Sequence, residues 1–97
     1  MAVYVIAQVD IHNFETWQEY AKVGGGAVAK HGGRLFAQSA EPVVLEDTGA
    51  GVARAVILEF PDIGAAKAWI GDPELAEVHE LRKAAAKTMI LALEGKD

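Results

Sequence analysis

At 97 residues the chain has room for one domain and not for two. Fourteen Asp and Glu against nine Lys and Arg give a formal charge of −5, and the basic residues are scattered, which argues against a nucleic-acid partner. There is no cysteine, so disulfides, thiolate chemistry and Cys-based zinc sites are excluded.

Apolar residues make up 52% of the chain. A single domain of this size buries only about 60–70% of the surface its unfolded chain exposes. The apolar excess therefore points to a second buried surface, made with a partner. Met1-Ala2-Val3-Tyr4 carries no basic leader, so no signal peptide is expected. No apolar run approaches the ~20 residues of a membrane span. A reducing, cytoplasmic home and no membrane partner are the expectation.

Val3 to Ile11 reads as the first strand. Val3, Val5, Ala7 and Val9 form one apolar face, while Tyr4, Ile6, Gln8 and Asp10 form a mixed one. Asn13 is a good helix N-cap, followed by the stripe Phe14, Trp17, Ala21, Gly24 and Val28. Gly24-Gly25-Gly26 predicts a break, a kink or a close helix–sheet approach, because each interior Gly costs about 0.8–1 kcal/mol relative to Ala. Gly32-Gly33 ends the helix. Arg34 to Ser39 is the second strand, with Leu35 and Ala37 on one face and Arg34, Phe36 and Gln38 on the other. After Pro42, Val43 to Glu46 has strand character, and residues 47–51 form a turn. Val52 to Phe60 is the third strand; its run Ala55-Val56-Ile57-Leu58 suggests burial on both faces.

Pro61-Asp62 caps a second helix with Ala65, Ala66, Trp69 and Ile70 on its apolar side. Gly71-Asp72-Pro73 breaks it and restarts it, and Leu75, Val78, Arg82 and Ala85 continue at helical spacing. Thr88 to Glu94 is the last strand. The order is βαββαβ, a ferredoxin-like α+β arrangement across residues 1–97 as a single domain. Both helices would cover one face of an antiparallel sheet. The opposite face carries too many apolar residues to stand bare, and a second copy of the same sheet is its simplest cover. The expected assembly is a homodimer, a dimeric α+β barrel.

Several segments, taken in order, resemble domain-of-unknown-function family 1330. They are Lys30-His31-Gly32-Gly33-Arg34, Leu45-Glu46, Ala55-Val56-Ile57-Leu58-Glu59-Phe60-Pro61, Ala68-Trp69 and Leu81-Arg82-Lys83-Ala84-Ala85. The resemblance covers nearly the whole chain. It implies membership of the dimeric α+β barrel superfamily, whose relatives include small monooxygenases, haem-degrading enzymes and muconolactone isomerases. It implies no particular reaction. The chain departs from it at Asp72-Pro73-Glu74-Leu75, where the family often has a tyrosine.

Six residues stand out as ligand-binding candidates: Tyr20, Arg34, Glu46, Trp69, His79 and Arg82. Arg34, at the start of a strand, suits a clamp on a carboxylate or phosphate. Its plainer alternative is an ion pair with Glu46 or another acid across the sheet. His79 and Arg82 share a helix face and suit anion binding or acid–base work. The plainer alternative for His79 is a solvated surface position beside Glu77 and Glu80. Trp69 and Tyr20 are amphipathic aromatics of the kind that line pockets, though core packing is the simpler role for Trp69. Glu46 and Glu59 have strand contexts and could serve as bases or pair with Arg34 or Arg54. His12, His31 and His79 lie in different elements without metal-ligand spacing, so no metal is expected. The glycine triplet follows a helix rather than a strand, and no dinucleotide or other cofactor is expected.

These features lead to a homodimer that binds a small organic ligand, anionic or aromatic, in a pocket of the barrel. The pocket is expected between the second helix and the sheet or inside the barrel, with Arg34, His79 and Arg82 near its mouth. The competing expectations are a cofactor-free oxygenase or isomerase, by superfamily analogy, and a non-catalytic structural or regulatory dimer.

Overall fold

The alternation in Val3–Ile11 has a direct structural outcome. In the computed structural model, which describes residues 2–51 and 53–96, Val3, Val5, Ala7 and Val9 are all buried while Tyr4, Ile6, Gln8 and Asp10 are not. This strand, β1 (Val3–Ile11), pairs antiparallel with both β3 (Arg54–Phe60) and β4 (Ala86–Glu94). β2 (Arg34–Ser39) pairs with β3, so the sheet order is β2-β3-β1-β4. The helical elements are α1 (Phe14–Lys30), α2 (Ile63–Gly71), a 3-10 turn (Pro73–Leu75) and α3 (Ala76–Ala85). Val52, the expected first residue of the third strand, lies outside the described residues, as do Met1 and Asp97.

Directly paired residues share a face, so Val3 with Phe60 and Val5 with Leu58 define the side that meets the helices. Ala27 and Val28 of α1, Ala66 and Trp69 of α2, and Leu75 pack onto that side to form the main core. A smaller cluster of Ala7, Val9 and Ala86 continues it under Trp17. Each buried Val, Leu or Phe contributes roughly 1.5–3 kcal/mol. No helix among the described residues is long and apolar enough to cross a membrane.

α1 starts where the Asn13 side chain accepts a hydrogen bond from Thr16 N at 3.1 Å. It runs unbroken through Gly24-Gly25-Gly26, so of the break, kink or close approach expected there the break does not occur. The cost of three helical glycines is met by tertiary packing, since Gly24, Ala27 and Val28 are the buried residues of this helix. The ring of Tyr20 lies over Gly24, where a Cβ would come within 3.1 Å of Tyr20 Cζ. α1 ends in a Schellman turn: Gly32 takes φ +76°, Gly32 N donates to Ala29 O and Gly33 N donates to Val28 O. A Cβ on Gly33 would stand 2.6 Å from Phe60 Cε1 and 2.7 Å from Val28 Cγ1, so only glycine fits against the core.

The break at Gly71-Asp72-Pro73 is present. Asp62 caps α2 by accepting from Ala65 N at 2.8 Å, and Asp72 Oδ1 accepts from Glu74 N at 2.8 Å. The same Asp72 ties this corner to the end of α1. Lys30 Nζ reaches Asp72 Oδ2 at 2.8 Å and Glu74 Oε2 at 2.7 Å, and His31 Nε2 reaches Asp72 Oδ2 at 2.8 Å. The hydrogen bonds from Lys30 and His31 hold the Asp72 carboxyl well below the usual carboxylate range.

β2 departs from simple alternation. Leu35 faces Leu58 and Ala37 faces Ile57, so Phe36 is an extra residue in a β-bulge. The bulge puts Ala37 on the opposite face from Leu35, and moves Gln38, opposite Val56, to the helix side. The expected grouping of Leu35 with Ala37, and of Gln38 with Arg34, is thereby corrected. Val43 to Glu46 is not a strand but part of an exposed connection between β2 and β3. The sheet face turned away from the helices carries Ile6, Ile57, Phe36, Met89, Leu91 and Leu93, the last three on β4 opposite Gln8, Ile6 and Tyr4.

Candidate functional site

The stripe Leu75, His79, Arg82 and Ala85 of the 3-10 turn and α3 is buried. His79 and Arg82 are each only 5% exposed and Trp69 is 3% exposed. The expectation of a solvated His79 is corrected: Glu77 and Glu80 lie on the outer surface of α3, and His79 turns inward. Arg82 Nη1 lies 2.7 Å from His79 Nδ1, and His79 Nε2 lies 2.9 Å from the backbone O of Trp69. A guanidinium in a protein always donates. Nδ1 must therefore be the acceptor, and the ring proton sits on Nε2 and is donated to Trp69 O. Burial holds the imidazole below its ordinary pKa, and the Arg82 charge adds to this. His79 is a neutral ring with both nitrogens engaged.

The guanidinium of Arg82 is held by two aromatic rings as well. Its Cζ lies 5.9 Å from the ring centroids of both Tyr20 and Trp69. Such contacts are worth up to about 2 kcal/mol each when desolvated. Trp17 packs on Tyr20 at 5.0 Å, and Trp69 packs edge-on to His79 at 5.4 Å. No carboxylate among the described residues pairs with Arg82. Among the described residues, two buried donors have no acceptor: Arg82 Nε and Trp69 Nε1. A buried charge without a counter-charge is expensive, on the order of several kcal/mol.

Trp69 also walls a cleft of about 210 Å³ between α2 and the sheet. Val5, Ile63, Ile70 and Ile90 supply apolar walls, and Lys67 is its one charged lining residue. A cavity of ~150 Å³ holds a benzene molecule, whereas drug-sized ligands occupy ~300–1,000 Å³. The cleft has the capacity for one ring with a short substituent.

Of the six sequence candidates, the fold brings four together: Tyr20, Trp69, His79 and Arg82. Trp69 combines the core packing expected of it with a place on the cleft wall. Arg34 lies on the other side of the sheet. Its Nε donates to Glu59 Oε1 at 2.7 Å, and its Cζ lies 5.1 Å from the Phe36 ring. Arg34 pairs across the sheet as expected, with Glu59 rather than Glu46. This pair holds the Glu59 carboxyl down, while Glu59 holds the Tyr4 phenol up. Glu46 is exposed in the β2–β3 connection and joins neither group. The hub at Asp72 leaves no signal in the sequence, because Lys30 and His31 lie more than forty residues away from it in the chain.

The sequence model of a domain of unknown function, DUF1330, matches residues 2–96. No curated protein matches the chain in sequence. Among solved structures, a protein of unknown function from Rhodopseudomonas palustris is similar at a TM-score of 0.79 and 18% identity, covering 99% of this chain and 83% of that one. A dimeric ferredoxin-like protein of unknown function from Jannaschia sp. CCS1 is similar at a TM-score of 0.71 and 14% identity, over 98% of this chain and 100% of that one. SnoaB, a cofactor-independent oxygenase from Streptomyces nogalater, is similar at a TM-score of 0.71 and 10% identity, over 99% of this chain and 94% of that one.

Proposed function

The chain belongs to the DUF1330 family, and on that premise we propose that it is a homodimer that binds a small organic ligand, about one ring in size, in the cleft between α2 and the sheet. The observation that carries this is Trp69. Its indole walls an apolar cleft of about 210 Å³ together with Ile63, Ile70 and Ile90, a size that suits one ring.

The dimer is supported by the sheet face that no helix covers. Phe36, Met89, Leu91 and Leu93 are about half exposed there, and the similar protein from Jannaschia is described as dimeric. SnoaB shares this chain's fold, and an oxygenase reading rests on that likeness alone. His79 offers no free nitrogen for proton transfer, so the side chains favour binding over acid–base catalysis.

The test is a titration of the full chain with one-ring compounds, followed through the two indole N–H resonances. Ligand binding in the cleft shifts the Trp69 resonance and leaves that of Trp17 in place. Sedimentation of the same sample gives the mass of a dimer. A dimer whose Trp69 resonance responds to no ring compound would be a structural or regulatory module instead. A stable monomer at micromolar concentration would overturn the assembly.

A further inference from the structure

We infer, building on the dimer reading above, that the second copy lies with its β4 along β2 of the first, and that residues 42–46 of each protomer form an arm that closes over β4 of the other. β2 and β4 are the two edges of the sheet, and among the described residues neither edge has a further strand. Directly after β2, the connection to β3 holds Val43 85% exposed and Leu45 95% exposed, a strand-like sequence with no strand to join. At the other edge, Met89, Leu91 and Leu93 of β4 are about half exposed on the open face. The arm follows β2, and its own β4 is three strand spacings, about 14 Å, across the sheet. Bare edges and bare apolar side chains of this kind invite another chain.

The open face suits a copy of itself. Its charged residues at paired positions are Arg34 and Glu59 at one end and Asp10 and Lys87 at the other, so it is neutral although the chain carries −5. A second such face meets it without like-charge repulsion, whereas a basic partner would find none of the chain's excess acid there. The side chains are also uneven in size. β4 presents Met89, Leu91 and Leu93, while β2 presents Ala37 and Ser39, and its Phe36 reaches across to the Tyr4 ring at 5.3 Å. A two-fold axis running across the strands would set β4 on β4, large on large. An axis running along the strands sets β4 on the partner's β2, where the large side chains fill the low strip. That axis also joins the bare edges to each other and puts the arm that follows β2 beside the partner's β4. Ala37 and Leu91 stand at one level across the sheet, through Ile57 and Ile6, and this axis brings them together between protomers.

The chain has no cysteine, so introduced ones report the arrangement. Ala37→Cys with Leu91→Cys in one chain is compared with Leu91→Cys alone, both oxidised at a concentration where sedimentation shows the dimer. Within one sheet the two positions are too far apart for a disulfide, so any link joins two protomers. The double variant is expected to give covalent dimers, and Leu91→Cys alone none. Ser39→Cys with Met89→Cys repeats the test at the next level of the sheet. Leu45→Ser tests the arm. That side chain is 95% exposed in the single chain, so the change leaves folding unaltered, and it is expected to weaken dimerisation about tenfold. Covalent dimers from Leu91→Cys alone put β4 on β4 and overturn the arrangement while leaving the dimer standing. A dimer that links in none of the variants overturns it as well. Unchanged association of Leu45→Ser overturns the arm. A wild-type chain that sediments as a monomer overturns the inference together with the dimer reading.

Discussion

The two faces of the sheet treat an arginine in opposite ways. On the open face, the side chain of Arg34 is 61% exposed and still has a carboxylate, Glu59, at 2.7 Å. Under the helices, Arg82 is buried and has none among the described residues. Water already solvates Arg34, so its ion pair adds little to stability. Arg82 is where a partner would matter most, and there the chain supplies only a neutral imidazole and two aromatic rings. Apolar groups show the reverse pattern: fully buried on the helix side as Val3, Val5 and Phe60, and half exposed on the other as Met89, Leu91 and Leu93. Each face thus lacks one kind of partner. Among the described residues, Arg82 on the helix side has no carboxylate partner, and the apolar groups of the open side have no cover.

The comparison breaks most visibly at its two extremes. Trp69→Ala removes a ring that packs on Phe60, His79 and Arg82, and should cost about 3–5 kcal/mol of folding stability in a denaturant titration. That is a large share of the ~5–15 kcal/mol typical of a whole domain. Leu91→Thr on the open face should leave monomer folding within about 0.5 kcal/mol. Its effect should appear in sedimentation, as a weaker dimer. If Leu91→Thr unfolds the chain and leaves association alone, the open face is part of the folding core and not a surface for a partner.

A second contrast lies between glycines. Gly33 is pressed against Phe60 and Val28, and Gly33→Ala should cost about 1–3 kcal/mol by overpacking the core. A Cβ on Gly25 or Gly26 would meet nothing within 4 Å. Ala at either of these should stabilise α1 by about 0.8–1 kcal/mol, by propensity alone. Gly24→Ala should give less, because the Tyr20 ring stands 3.1 Å from the new Cβ. Thermal unfolding of the four single variants separates these signs.

These glycines also show what can be read from the sequence. The triplet signals a weak helix by propensity, yet α1 is continuous, since propensity is a local quantity and the anchoring of this helix is not. The alternation of β1 identifies its buried face correctly, because nothing interrupts its register. The alternation of β2 does not, because one bulged residue, Phe36, reverses every side chain after it. Arg82 sits on the apolar stripe of α3 in the sequence itself, and this is the best signal of the site. His79 is masked by its acidic neighbours Glu77 and Glu80, which point the other way. The separation of Arg34 from Arg82 is beyond sequence reading, since it depends on which side of the sheet each one lies.

The smallest expected effect is a dependence on pH, and it tests whether His79 is neutral. Burial lowers the His79 pKa in the folded chain from its ordinary 6.5. The unfolded chain then takes up a proton near pH 6.5 that the folded chain refuses until lower pH. The contribution of His79 is therefore complete above pH 6.5 and is lost as pH falls through the folded value. Asp72 acts in a lower window. Its depressed carboxyl loses its contribution only as pH falls below the ordinary 3.8. Unfolding midpoints measured between pH 8 and pH 5 should decline in the wild type before Asp72 has any influence. His79→Gln, whose amide oxygen can still accept from Arg82, should flatten that decline while leaving the acid limb below pH 4 intact. A decline that survives in His79→Gln would mean that the His79 imidazole is not the group being protonated, and that another group, such as His12 or His31, carries it.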